Sequence, residues 1–344
     1  MNARGVVVGV LVCLALAGCG KSTTSASNGE PFTLPVGPTE WDVSVPAWFQ
    51  DGTLHVGERT VVLGDEVDEF VLGATGVYWM RRHTLMFTSA EGDTQKVEDV
   101  GWRNLAVSAD RSVFATVDQS RGPTDKYGTH VLQLAAFDTR TGEQLYRTPD
   151  EEPDGGDLTN MYGEIMPLLH GVSNERIFFD GTTIYLDDAS SVPSSQDADD
   201  GEVYEGFAEM LFPDGYNVSI RGEGRRRQLA EPSMFGAGRL SPDRSTIFDL
   251  SEWPAAAVVY DSTTGRRRLI DAPGEHFTLV RWSDEDTFFG VAERIDEKSN
   301  DLRARQVVSC ELRSLACTPV SPVIPTIDGQ APPPLVEGSQ FGPA

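Results

Sequence analysis

Cysteine is scarce in this chain of 344 residues: Cys13, Cys19, Cys310 and Cys317 are the whole set. That scarcity excludes a disulfide-dense scaffold, and the spacing offers no paired-cysteine metal site. Lysine is just as rare, with only Lys21, Lys96, Lys126 and Lys298, so arginine carries most of the positive charge. Set against 53 acidic residues, the 28 basic ones leave a formal charge of −25. Such a surface repels phosphate backbones and anionic headgroups, which argues against a nucleic-acid partner and against a polybasic membrane contact. No sustained helical period occurs, which argues against a helical bundle. The chemical signatures of hydrolases are missing as well, with neither a Gly-x-Ser-x-Gly elbow nor a His-Glu-x-x-His pair. The five histidines, His55, His83, His130, His170 and His276, have no His or Cys neighbour at ligand spacing. His55, His130 and His276 fall in strand-like runs, where they read as structural. No catalytic, cofactor-binding or metal-ligating residue can therefore be nominated, and no cofactor is expected.

One long apolar run is present, Val6 to Ala17. Its twelve residues are too few to cross a bilayer, which takes about 20. Arg4 precedes it, and Leu16-Ala17-Gly18-Cys19 follows. A basic start, a short apolar stretch and small residues at its end make a secretory signal. The adjoining Gly20-Lys21-Ser22 invites a phosphate-loop reading. That motif needs glycine at position 15, where Ala15 stands, and a helix downstream, where the chain is rich in Ser, Thr, Gly and Pro.

Internal repetition dominates the middle of the chain. "VSADRSVFATV" from Val107 matches "LSPDRSTIFDL" from Leu240, and "VSNERIFF" from Val172 and "WSDEDTFF" from Trp282 are weaker copies. Each is a turn followed by a β-branched or aromatic run. A second element follows: "MFTSAEGDTQKVEDV" from Met86, "AFDTRTGEQLYRTP" from Ala136 and "VYDSTTGRRRLIDAP" from Val259. In all three an aromatic residue precedes glycine by five positions: Phe87 and Gly92, Phe137 and Gly142, Tyr260 and Gly265. Glycine near the tip of a hairpin takes the left-handed conformation. Ser241 to Ser283 is 42 residues, and Ser108 to Ser241 is about three such units. A unit of roughly 40–45 residues holding about four strands is a propeller blade, too thin to bury its faces alone. The expected fold is all-β, a propeller of six to seven four-stranded blades.

Leu16-Ala17-Gly18-Cys19 resembles the bacterial lipobox, which implies cleavage before Cys19 and a diacylglycerol on its thiol. Ser-Pro-Asp-Arg before a strand, with Asp-x-x-Thr-Gly in the next hairpin, resembles the WD-repeat-like units of TolB-type bacterial propellers. "AFDTRTGEQLY" from Ala136 is also similar to a repeat of pyrroloquinoline-quinone propellers, although Tyr146 stands where that repeat carries tryptophan. The combination implies an exported propeller lipoprotein, held in the cell membrane on its extracytoplasmic face.

Compartment then bears on the remaining thiols. Aligning "SCELRSLACTP" from Ser309 with "YDSTTGRRRLI" from Tyr260 sets Cys310 at Asp261 and Cys317 at Arg268. That register puts them across a hairpin with its tip at Leu312 to Leu315, within disulfide reach at a Cα separation of about 4.4–6.8 Å. Two acidic stretches, Asp150 to Asn160 and Asp187 to Glu202, read as long surface loops. In the second, Asp197, Asp199, Asp200 and Glu202 come close to a calcium loop, but Gly201 falls one position early. Arg225 to Arg227 and Arg266 to Arg268 read as outer-strand charges guarding blade edges. The expected domains are a signal over 1–18, a linker over 19–39, the propeller over 40–320 and a proline-rich tail over 321–344. The expected role is a non-enzymatic binding or scaffold protein with a protein partner at the envelope. The alternative is a propeller enzyme or small-ligand binder with a composite site in the central channel.

Overall fold

The computed structural model describes residues 32–97, 104–108, 110–151, 153, 155–164, 169–180, 182–193, 219–222, 225–228, 238–240, 245–249, 257–261, 266–274, 276–282, 286–296, 302–326 and 335–337. Within them the chain forms seven antiparallel sheets. Blade one has β1 (Ala47–Gln50), β2 (Thr53–Val56) and β3 (Arg59–Val62). Blade two has β4 (Glu69–Gly73), β5 (Gly76–Arg81), β6 (Thr84–Ser89) and β7 (Thr94–Lys96). Blade three has β8 (Leu105–Val107), β9 (Val113–Asp118), β10 (Gln133–Asp138) and β11 (Gln144–Arg147). After the short helix α1 (Leu158–Glu164), blade four has β12 (Leu169–Val172), β13 (Arg176–Phe179), β14 (Thr182–Tyr185) and β15 (Ser191–Pro193). Blade five is described by β16 (Ser219–Gly222) and β17 (Arg225–Gln228). Blade six has β18 (Gly238–Leu240), β19 (Thr246–Asp249), β20 (Val258–Asp261) and β21 (Arg267–Leu269). Blade seven has β22 (His276–Trp282), β23 (Thr287–Ile295), β24 (Leu302–Glu311) and β25 (Cys317–Pro319), with β26 (Ile324–Pro325) also on β24. The last strand, β27 (Leu335–Val336), returns to blade one and pairs with β1.

Blades two, three, four, six and seven are simple meanders, with the first strand innermost and the fourth outermost. Blade one departs from this pattern: its order is β27-β1-β2-β3, with the C-terminal strand in the innermost place. The inner strands β27, β4, β8 and β12 are neighbours in that order. The fold is a β-propeller, with seven blade sheets among the described residues.

Alternation along the strands explains how thin blades make a core. On β5, Val77 and Trp79 pack toward blade one with Phe49 and Leu54, while Tyr78 and Met80 pack toward blade three with Phe114 and Phe137. On β9, Val113, Ala115 and Val117 turn toward blade four, meeting Leu169 and Ile177. On β24, Val308 and Cys310 pack with Phe248 and Val259 of blade six, whereas Val307 joins Trp48 and Val336 of blade one. Five apolar layers thus link blade four through three, two and one to seven and six. A strand buried on both faces has no polar stripe, which is why β5, Gly76-Val77-Tyr78-Trp79-Met80, reads as an unbroken apolar run.

Three sequence expectations change here. The described parts of 321–344, residues 321–326 and 335–337, belong to the propeller rather than to a tail outside it. Ile324 is buried against β24, and Leu335–Val336 complete blade one, because an inner strand needs only two ladder residues when neighbouring blades cover it. The described end of the 19–39 linker, from Phe32 onward, is packed onto the blades. The acidic stretch from Asp150 contains the start of α1 rather than loop alone. Asp157 Oδ1 accepts the Asn160 N–H and begins the helix, and buried Leu158 seats it.

Candidate functional site

The repeated Ser-x-Asp-Arg-Ser turn shows its construction in blade three. Ser108 Oγ accepts the Val113 N–H at 3.0 Å, and Asp110 Oδ1 accepts the Ser112 N–H at 3.0 Å and the Ser108 hydroxyl at 2.7 Å. Burial works against the Asp110 carboxylate, but these donors and Asn174 hold its pKa below the usual range. The turn sets Arg111 at φ +58°, a left-handed conformation, and aims its side chain into the protein. Arg111 is 1 % exposed. Its Nε and Nη2 donate to Glu337 Oε1 and Oε2 at 3.1 and 2.6 Å, a two-pronged pair. Glu337 Oε1 also accepts the Leu72 N–H at 2.9 Å. Burial pushes the Glu337 carboxyl up, against the pull of Arg111 and of that amide. One carboxylate therefore joins the C-terminal strand to the inner strand of blade two and to the turn of blade three. Glu69 repeats the device one blade on, accepting the Leu105 N–H of β8 at 3.0 Å.

A second buried polar cluster closes the opposite end of blade three. Asp118, wholly buried at the end of β9, accepts from Arg147 and from the Ser120 N–H at 2.8 Å. Gln133 accepts from Arg147 Nε at 3.1 Å and donates to Asp150 at 2.7 Å. Beyond it the long loop from Gln119 to Leu132 folds around Asp125. One carboxylate oxygen accepts the Tyr127 and Thr129 N–H groups, and the other accepts the Leu158 N–H of α1 at 2.9 Å. Burial would raise this carboxyl, but the amides of Leu158, Thr129, Tyr127 and Gly128 hold it low. Loop and helix form one appendage, with Thr129 and Thr159 hydroxyls 2.7 Å apart. Tyr127 and Met161 are exposed upon it.

The residues singled out in the sequence fall as follows. Cys310 and Cys317 face each other directly on β24 and β25 and are disulfide-bonded, their Cα atoms 4.0 Å apart. That is slightly closer than expected, in keeping with the tight spacing of a pair next to the hairpin's closing bonds. The register differs by one: Glu311 N–H to Ala316 O matches Asp261 N–H to Arg266 O, so Cys310 corresponds to Tyr260 and Cys317 to Arg267. Gly92 and Gly142 have φ of +96° and +74°, as a hairpin-tip glycine requires. His55 stacks flat on Trp48, and burial lowers its pKa. His130 Nδ1 lies 2.9 Å from the Gly122 carbonyl, outside any strand, and His276 begins β22. Arg267 and Arg268 lie on β21, the outermost strand of blade six. Cys19, Gly265, the turn Ser241 to Arg244 and the calcium-like set Asp197, Asp199, Asp200 and Glu202 lie outside the described residues. Among the described residues no group of three His, Cys, Asp or Glu could hold a metal ion, and no helix is long and apolar enough to cross a membrane.

Sequence reasoning missed Arg111, Glu337 and the Asp118–Arg147 pair. Arg111 stands in the repeat motif itself, where a turn of Ser, Asp and Ser satisfied by its own hydrogen bonds makes no use of the arginine side chain. Glu337 had a weaker signal: the apolar pair Leu335-Val336 after three prolines, followed by one acid.

The site defines a propeller whose buried charges hold the ring together. No family model matches the chain, and no curated protein matches it. Several solved structures are similar. A protein from Agrobacterium tumefaciens described as TolB is 11 % identical, over 80 % of this chain and 87 % of that one, with a TM-score of 0.36. TolB from Acinetobacter baumannii is 9 % identical over 85 % of this chain and 65 % of its own length, with a TM-score of 0.37. The AfRom2 CNH domain is 11 % identical over 82 % and 98 %, with a TM-score of 0.42. Likenesses of this grade carry no argument about function, and the propeller rests on the sheets and their order.

Proposed function

We propose that this chain is a lipid-anchored propeller at the extracytoplasmic face of the cell membrane, binding a protein or envelope component without catalysing a reaction. The observation that carries the reading is the apolar run Val6 to Ala17 ending in Leu-Ala-Gly-Cys19, ahead of a propeller. A diacylglycerol brings two chains, enough for stable attachment where one would be marginal. The buried charges support a binding role, since Arg111, Glu337, Asp118, Arg147 and Asp125 are engaged in holding blades and loops together. The acidic surface favours a basic or neutral partner over nucleic acid.

The test is Cys19→Ala with mass analysis of the product. Loss of the lipid mass and release from the membrane fraction is expected, or retention of the uncleaved precursor. A Cys19→Ala protein that stays membrane-bound at the mature mass would overturn the anchor. Pull-down of the wild-type protein from detergent-solubilised membranes tests the binding role, with an enriched envelope protein as the expected result. A small molecule co-purifying in the channel instead would move the assignment to a ligand binder or enzyme.

A further inference from the structure

The hairpin that carries the disulfide departs from its relatives at one position. In blade three the tip closes with Asp138 N–H to Glu143 O and Gly142 N–H to Asp138 O. Blade seven repeats the pattern with Glu311 N–H to Ala316 O and Leu315 N–H to Glu311 O. Leu315 therefore stands where the repeat carries its glycine, and it keeps the left-handed conformation, at φ +59°. A branched side chain is disfavoured there and persists only where its surroundings hold it.

What the leucine gains is contact with the preceding blade. Leu315 and Leu312 are buried in the apolar layer that also takes Phe248 and Val259 of blade six and Ile270 just past it. The tip backbone is tied to the same blade. Asp271 N–H donates to Leu315 O at 2.8 Å, Cys317 N–H donates to Asp271 O at 3.2 Å, and Arg268 Nη2 donates to Arg313 O at 2.7 Å. By contrast, a Cβ on Gly92, at the tip of blade two, would meet nothing within 4 Å. The Cys310–Cys317 bond closes the base of the docked tip. Cys310 is buried, and Cys317 is half-buried on the outermost strand.

We infer that this disulfide is a redox-sensitive clamp on blade six, holding a strained leucine plug in the seam between blades six and seven. It opens by thiol–disulfide exchange with a dithiol reductant. One thiolate attacks Sγ of Cys317, the less buried residue of the two. The S–S bond breaks, and Cys310 leaves as a thiolate and takes up a proton. The second thiolate of the reductant attacks the mixed disulfide, freeing the Cys317 thiol and leaving the reductant oxidised. Without the crosslink, residue 315 relaxes from its left-handed conformation and the plug loosens. The closed loop is short, so global stability changes little and the effect is concentrated in one seam. The inference does not depend on the anchor at Cys19.

Hydrogen exchange of the oxidised full-length protein, read by mass spectrometry before and after dithiothreitol under native conditions, is the test. Reduction should speed exchange in β20 and β21 of blade six by about tenfold or more, while blades two and three stay unchanged. A rise confined to β24 and β25, or one equal in all blades, overturns the clamp. So does a bond that dithiothreitol opens only in denaturant. Leu315→Gly separates the plug from the crosslink. In that variant blade six should exchange fast while still oxidised, and reduction should add less than about twofold. A full response to reduction in Leu315→Gly would show that the leucine does not carry the state of the bond to blade six.

Discussion

The two ends of this chain are fastened by different physics. The N-terminal strap, Phe32 to Trp41, lies against apolar side chains and backbone carbonyls, with Leu34 buried and five hydrogen bonds spread from Leu34 to Trp41. The C-terminal strand has two ladder residues, and its hold is concentrated in Glu337, which takes Arg111 and the Leu72 amide at once. A spread fastening loses little when one contact goes. A concentrated one fails together, since removing either partner leaves a charge buried without compensation.

Glu337→Ala is the sharpest way to break that contrast. It strands the Arg111 guanidinium in the interior and should cost about 3–5 kcal/mol, read as a fall in the denaturation midpoint. A matched pair, Arg111→Met with Glu337→Leu, should recover most of the loss, because two apolar groups of similar volume leave no charge behind. If the double variant were as unstable as the single one, packing rather than charge would be holding the strand. Gly142→Ala probes the other end. The side chain meets strain at φ +74° and a clash with Leu34 O, together about 1–3 kcal/mol. Limited proteolysis should show cleavage in the strap while blade one stays protected. The smallest effect is expected between the two ends, in blade seven. Serine at both Cys310 and Cys317 opens a loop of sequence separation 7, which corresponds to about 2 kcal/mol or slightly more of chain entropy, and less where the reduced hairpin keeps its ladder. Calorimetry with and without reductant measures it, and a midpoint indifferent to reductant in a protein proved to be oxidised would show the bond to be without stabilising effect.

What could be read from the sequence divides along the same line. The blades announce themselves, since β9 and β19 follow near-identical Ser-x-Asp-Arg-Ser sequences and Gly92 and Gly142 mark two hairpin tips. These are local patterns within ten or twelve residues. Neither fastening is local. Arg111 and Glu337 are 226 residues apart, and Leu335-Val336 is too short for alternation to appear. The strap carries no periodic signal because its hydrogen bonds go to turns of other blades. Proline enrichment misled at the C-terminus: proline is excluded from inner ladders but tolerated at the ends of a two-residue edge pairing such as Ile324–Pro325. The one-residue error at Cys310 has a different origin: Tyr260–Arg267 and Cys310–Cys317 have the same separation, so a slip of one residue preserves the spacing and only the hydrogen bonds tell the two registers apart.

The position of β27 has a bearing on how the molecule comes to exist. A chain made from its N-terminus offers β1, β2 and β3 first, with the inner edge of that sheet vacant. Blades two, three and four can each mature as they emerge, because every one holds its strands within a short span. Blade one must wait for residues 335–337, the last described stretch of the protein. Bringing ends 265 residues apart into contact, as the Leu72–Glu337 bond does, costs loop-closure entropy that only the final contacts repay. Completion of blade one thus waits on residues 335–337, and a molecule truncated before Leu335 would expose the unpaired edge of β1 to any strand nearby.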